Sequence, residues 1–261
     1  MKKYLTVARA EWLDAFQYYQ EVIIWIIIEA LPILVMSSLW LSTGGVNSFH
    51  QISFLVTYYV LIFVISRFTG FYFEQRMQDE VRDGTFSRYL SRPLSVQKYL
   101  LWNNLGGKSF TLFFLMLPVL LFFFLLFRNY LIAPHPLNLF LFIISLVEAY
   151  FIQFSISLLA ASCSFFMEQS FAVNHLHWVL DSVAGGYMLP LTFFPAFLKN
   201  ICLFLPFSSV YFTPVTIYTG QIDLQTIVTR LFFSLVWAVV LYWASSLVFK
   251  IGVKRYSAVG G

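Results

Sequence analysis

Long apolar runs, interrupted by charges and turn residues, predict six helices at 22–42, 52–72, 108–128, 137–166, 171–197 and 228–249. Each reaches the ~20 residues needed to cross a hydrocarbon core. The run at 137–166 is too long for one upright crossing, which predicts tilt or a first turn lying along the interface. All six runs are continuous, whereas a strand of a membrane barrel alternates apolar and polar positions, so a barrel is excluded.

Ahead of the first run, Leu5, Ala8, Trp12, Phe16 and Tyr19 recur at three- and four-residue spacing, with Lys3, Arg9, Asp14 and Gln17 between them. That pattern predicts an amphipathic helix over 1–21 lying in the membrane interface. Two further segments break the regular plan. The stretch 73–107 carries Glu74, Arg76, Asp79, Glu80, Arg82 and Asp83, then Gly84, then Phe86, Tyr89 and Leu90 before Arg92-Pro93. A polar helix extending from the second span, broken at Gly84 and followed by a short amphipathic helix, is expected there. The stretch 198–225 is apolar but contains Pro206, Pro214 and Gly220. It is too broken to cross and too apolar for a free loop, which predicts a re-entrant or interfacial hairpin.

Composition agrees. Of the 261 residues 60% are hydrophobic and 11% charged, and mean hydropathy is +0.78. Soluble domains carry about 25% charged residues. A water-soluble globular protein, a disordered chain and a nucleic-acid binder relying on a basic face are thereby excluded, leaving an all-α integral membrane protein that forms one transmembrane domain over 1–261. The net charge of +4 then reports orientation. With both termini in the cytoplasm, Lys2, Lys3, Arg9, Arg76, Arg82, Arg88, Arg92, Lys98, Lys108, Lys250, Lys254 and Arg255 fall inside, against Arg128, Lys199 and Arg230 outside. The positive-inside rule favours that arrangement. It places Cys163 and Cys202 at opposite faces, too far apart for a disulfide. The charged, amphipathic N-terminus does not read as a cleaved signal.

Catalytic patterns are missing from the sequence. Gly107-Lys108-Ser109 resembles the end of a phosphate loop, but the glycine required five positions earlier is Trp102, so a helix start is expected. His175 and His177 point to different helix faces, while His177 and Asp181 share one and are expected to form a hydrogen-bonded pair; with no HExxH and no GxSxG, neither a metal nor a catalytic site is assigned. Charges at membrane depth carry more information. Glu29 and Arg67 lie about 10 and 8 Å from the inner edge of their spans at 1.5 Å per residue, close enough in depth to pair. Glu148 and Asp181 lie nearer the midplane and are candidates for a polar translocation path.

In order along the chain, Gly84-Thr85-Phe86-Ser87-Arg88-Tyr89-Leu90-Ser91-Arg92-Pro93, then Gly185-Gly186-Tyr187-Met188-Leu189-Pro190-Leu191-Thr192-Phe193-Phe194-Pro195, then Leu205-Pro206-Phe207 with Tyr211 and Pro214, resemble the ABC-2 type permeases, the membrane subunits of a class of bacterial ATP-driven exporters. The likeness covers nearly the whole length and is strongest to the branch of roughly 260-residue permeases.

The resemblance implies six spans with an interfacial elbow helix, a cytoplasmic coupling helix between spans two and three, and an external hairpin before span six. It implies a second permease, identical or different, and partner ATPase subunits that hold ATP and magnesium, with no cofactor on this chain. Carried onto this sequence, ATPase docking falls on Glu80, Val81, Arg82, Asp83, Gly84, Thr85, Phe86 and Arg88. Spans two and five would form much of the dimer interface, with Gly185 and Gly186 allowing close approach. The location implied is the bacterial inner membrane, and the expected activity is export of a lipophilic or amphipathic cargo by alternating access. A non-transporting subunit driven by the same ATPases, a secondary transporter and a stand-alone membrane enzyme are the competing readings. The second is disfavoured because the two halves show no evident repeat.

Overall fold

The computed structural model describes residues 2–17, 19–42, 49–71, 73–167 and 171–256. All regular structure among them is helical. Four stretches are long and apolar enough to cross a membrane: Phe49–Arg82, Val96–Phe127, Pro136–Phe165 and Leu224–Arg255. A pair bent by 76°, Ala196–Phe204 with Pro206–Tyr218, would make a fifth, and a shorter apolar helix, Ile26–Leu39, lies in the expected first span. The chain is therefore multi-pass, although the described helices do not reproduce six uniform crossings. It divides into two compact units.

The first unit comprises residues 1–68, 102–143 and 214–223. Helix α1 (Lys2–Gln17) precedes α2 (Tyr19–Ser42), as the amphipathic pattern predicts, though the side chains of Phe16 and Tyr19 lie outside the described residues. The contacts of α1 run along the helix that begins at Val96. Glu11 accepts from Asn103 Nδ2 at 2.6 Å, Trp12 meets Phe110 edge-on, and Gly106 lies so close to the Ala8 backbone that no side chain fits. Helix α3 (Phe49–Thr69) is buried along most of its length, from Leu55 to Ile65. Thr57 Oγ1 takes the Ile132 N–H at 2.9 Å and anchors the loop that follows the third apolar stretch.

The second unit comprises residues 69–101, 144–213 and 224–261. It contains α4 (Phe73–Arg82), α5 (Ser87–Leu90), the start of α6 (Val96–Thr111), and most of α8 (Pro136–Ser162). Next come α9 (Phe171–Val183), α10 (Ala196–Phe204), α11 (Pro206–Val210) and the long α13 (Leu224–Arg255). Between α6 and α7 (Leu117–Phe127) a π-turn spans Leu112–Met116. Pro118, two residues beyond it, has no N–H to give the preceding turn, which accounts for the wider turn there. Helix α12 (Phe212–Tyr218) lies where the chain passes between units.

Two expectations are corrected. The third apolar helix starts at Val96, so Gly107-Lys108-Ser109 lies inside a helix and not at its start, and Lys108 Nζ donates to the Arg67 carbonyl at 3.0 Å. The fifth helix stops at Val183 instead of 197. Gly186 adopts φ 81°, and the Gly185 and Met188 N–H groups turn back to the Leu180 and Ser182 carbonyls, at 3.1 Å each. A left-handed glycine with such reversed bonds is a strong helix stop. Pro190 and Pro195, each with extended backbone, then flank a single 3-10 turn, Leu191–Phe193, before α10. The stretch expected to form a hairpin holds three short helices, Ala196–Phe204, Pro206–Val210 and Phe212–Tyr218.

Candidate functional site

Helix α4 ends where Gly84 takes φ 76°, a conformation costly for any residue with a Cβ. The Phe86 N–H returns to the Glu80 carbonyl at 2.9 Å, closing the turn into α5. Glu80 organises this turn from a side chain only 11% exposed. It accepts from Arg76 Nε at 3.1 Å, from the Tyr89 hydroxyl at 3.1 Å, and from Arg88. Burial pushes the Tyr89 phenol up, so it keeps its proton and remains a donor.

Phe86, 1% exposed, is the footing of the turn. Its ring meets Phe165, Tyr256, Tyr89 and Phe249 at centroid distances of 5.2, 5.3, 5.6 and 6.4 Å. Aromatic pairs in such tilted and edge-on arrangements add to the burial energy. The eight residues expected to dock therefore split by orientation. Val81 and Phe86 are buried, Glu80 is largely enclosed, and Arg82, Asp83, Thr85 and Arg88 are exposed. Arg82 lies between Asp79 and Asp83 at 3.1 and 3.2 Å.

A second polar group lies deeper in the same unit. His177 Nδ1 is 3.1 Å from Glu74, and His177 Nε2 is 3.4 Å from Asp181 Oδ2. Gln153 Nε2 donates to Asp181 Oδ2 at 2.6 Å, and the Tyr211 hydroxyl reaches the same oxygen at 3.5 Å. One turn from His177, Gln78 and Asn174 exchange two amide hydrogen bonds of 2.8 Å. The His177–Asp181 pair expected from their spacing is thus present, inside a chain whose other members are Glu74, Gln153 and Tyr211.

The remaining expected residues separate. Glu148 is in α8, its Oε2 buried with no hydrogen-bond partner among the described residues, and it borders a cavity that does not include Asp181. Arg67 is half-buried in the last turn of α3; the side chain of Glu29 lies outside the described residues, so their pairing is not described. Gly185 and Gly186 are buried within the chain, where a Cβ at Gly185 would fall 2.9 Å from the Tyr211 ring. Sequence reasoning missed Gln153, whose only signal was an amide in an apolar span, and Tyr256, which had none.

A helical chain with four stretches long and apolar enough to cross a membrane defines a multi-pass membrane protein. Residues 22–260 match the family model for the ABC-2 family transporter protein, and the chain belongs to that family of membrane transport proteins. No curated protein and no solved structure matches it.

Proposed function

We propose that this chain is the transmembrane permease subunit of an ATP-driven exporter, docking a separate ATPase through the exposed side of the α4–α5 turn. Membership of the ABC-2 family supports an ATPase partner and a pairing of permeases in general. The observation that carries the finer reading is the two-sided turn. Arg82, Asp83, Thr85 and Arg88 face outward while Phe86 is locked beneath them. A surface so fixed passes a push into α8, α9 and α13 without deforming, because packed cores shift as units.

In this reading both termini are cytoplasmic, ATP and magnesium reside on the partner, and the cargo is lipophilic or amphipathic. Glu148 and Asp181 remain the candidates for the path. The exposed face of α9, with Leu176, Trp178 and Val179, is the surface offered to a second permease; Gly185 and Gly186, expected there, are buried within the chain instead. Co-expression with the neighbouring genes, purification by a tag on this chain and native mass spectrometry test the proposal. Recovery of two permeases with two ATPase subunits is expected; a chain that purifies alone despite proven co-expression would overturn it.

A further inference from the structure

Apart from the turn and the polar chain, α8, α13 and the start of α6 line a partly open cavity of about 760 Å³ within the second unit. That is within the ordinary range for ligand sites. Phe151 and Phe154 of α8 and Val239 and Trp243 of α13 make its walls apolar. Its lining runs along α13 from Leu235 to Lys250, a rise of about 22 Å at 1.5 Å per residue. Half a bilayer with its headgroups measures about 20–22 Å. The cavity is therefore one leaflet long.

Its polar groups are not scattered. Lys250 ends the α13 wall, and Lys98 lines the same cavity from the start of α6; both are exposed. Gln97 Nε2, Ser246 Oγ and Glu148 Oε2 also border it, and each is a buried atom with no hydrogen-bond partner among the described residues. Buried polar atoms are nearly always paired, and leaving one unpaired is costly. The two donors among them, Gln97 Nε2 and Ser246 Oγ, beside an apolar cavity point to a ligand that is mostly hydrocarbon yet carries acceptors of its own.

We propose that this cavity binds one anionic phospholipid of the leaflet on the Lys250 side. Its phosphate pairs with the Lys98 and Lys250 ammonium groups. Its ester carbonyls accept from Gln97 and Ser246, and an acyl chain lies along Phe151, Val239 and Trp243 toward Leu235. Two cations against the Glu148 carboxyl give the lining a surplus of positive charge, which selects an acidic headgroup over a cationic one. The same lining explains why Trp243, 69% exposed, stands beside Tyr242 on the outer wall: flat amphipathic rings suit the region between headgroup and chain. The inference rests on the cavity alone and stands whether or not an ATPase binds the chain.

The test uses the full chain in phosphatidylcholine nanodiscs containing a minor fraction of phosphatidylglycerol with a diazirine in one acyl chain. After irradiation, labelled peptides are mapped by mass spectrometry, with the exposed α7 residues Leu121 and Leu125 as the bulk-lipid reference. Labelling concentrated on α8 and α13 is expected. The double substitution Lys98→Ala/Lys250→Ala should lower it by roughly thirtyfold relative to that reference, from about fivefold per surface lysine. Glu148→Gln, nearly isosteric, should raise it, and keeps the test decisive should the double variant misfold. Uniform labelling of all lipid-facing residues, equal labelling in both variants, or better labelling by a cationic diazirine lipid would overturn the proposal. Competition by excess inorganic phosphate alone would overturn the lipid assignment in favour of a phosphate-anion site.

Discussion

The Tyr256 hydroxyl donates to the Gly84 carbonyl at 2.6 Å, joining the glycine that breaks the α4–α5 turn to the residue just after α13, 172 positions away. Gly84 presents that carbonyl because its φ of 76° turns the backbone over. The ring of Tyr256 packs on Phe86 and Phe165 at 5.3 and 6.1 Å. One side chain thus fastens the end of the last long helix to the turn and to its aromatic base.

Two substitutions separate those contributions. Tyr256→Phe removes the hydrogen bond and keeps the ring, and should cost about 1 kcal/mol. Tyr256→Ala also removes the ring contacts and should cost about 2–4 kcal/mol. Thermal unfolding in detergent, followed by tryptophan fluorescence, should rank wild type, Phe and Ala in that order. Equal midpoints for wild type and Ala would show that the contact contributes nothing.

Docking and folding at the turn should likewise come apart. Asp83→Lys alters an exposed residue and should change stability by no more than about 0.5 kcal/mol, the usual effect at a surface. It should still abolish co-purification of the ATPase. Phe86→Ala empties a fully buried site and should cost about 3–5 kcal/mol. If Asp83→Lys retains the ATPase with normal turnover, the docking assignment fails. The measurements are the unfolding midpoint of the isolated chain and the recovery of the complex.

What the sequence made legible here was local. Gly84 between a polar helix and an amphipathic one, and Pro206 and Pro214 in an apolar stretch, are punctuation that acts on its own neighbours. The family resemblance likewise rested on such ordered Gly and Pro patterns. The end of the fifth helix was marked too, by Gly185-Gly186, but the apolar run continued to 197 and hydropathy outweighed the turn signal. Partners such as Gln153 with Asp181, or Tyr256 with Gly84, are set by packing of distant segments and leave no spacing to read. The same reason hid the inward direction of Val81 and Phe86: a short helix shows its amphipathic pattern, but which face finds a partner depends on Phe165 and Phe249.

The buried chain from Glu74 to Tyr211 and the cavity beside Glu148 predict different phenotypes. His177→Ala leaves the Glu74 and Asp181 carboxyls facing each other without the imidazole, and should cost about 3–5 kcal/mol, as when one member of a buried pair is removed. Asp181→Asn retains an acceptor for Gln153 and Tyr211 and should cost about 1–2 kcal/mol. Glu148→Gln breaks no hydrogen bond at Oε2 and should leave the midpoint nearly unchanged. If Glu148 lines the path, substrate-stimulated ATPase of the reconstituted complex should change in Glu148→Gln at constant stability. Unchanged stimulation would remove Glu148 from it.

Gly252 supplies the sharpest test of the aromatic base, because the sign of the effect is diagnostic. A glycine inside a helix normally gains about 1 kcal/mol when replaced by alanine. In α13, however, a Cβ at Gly252 would fall 2.8 Å from Phe165 Cγ and 3.0 Å from Phe165 Cβ. The ring would have to move, and it cannot do so alone, since it stacks edge-on with both Phe86 and Phe249. Gly252→Ala should therefore destabilise the chain by about 1–3 kcal/mol, the usual cost of overpacking. Phe165→Leu alone should also destabilise, by loss of ring contacts. Combined, the two should be less harmful than their sum, because the smaller side chain relieves the clash, with a coupling of about 0.5–3 kcal/mol. Strict additivity in thermal unfolding, or a gain of stability in Gly252→Ala, would show that α13 does not press on Phe165 as described.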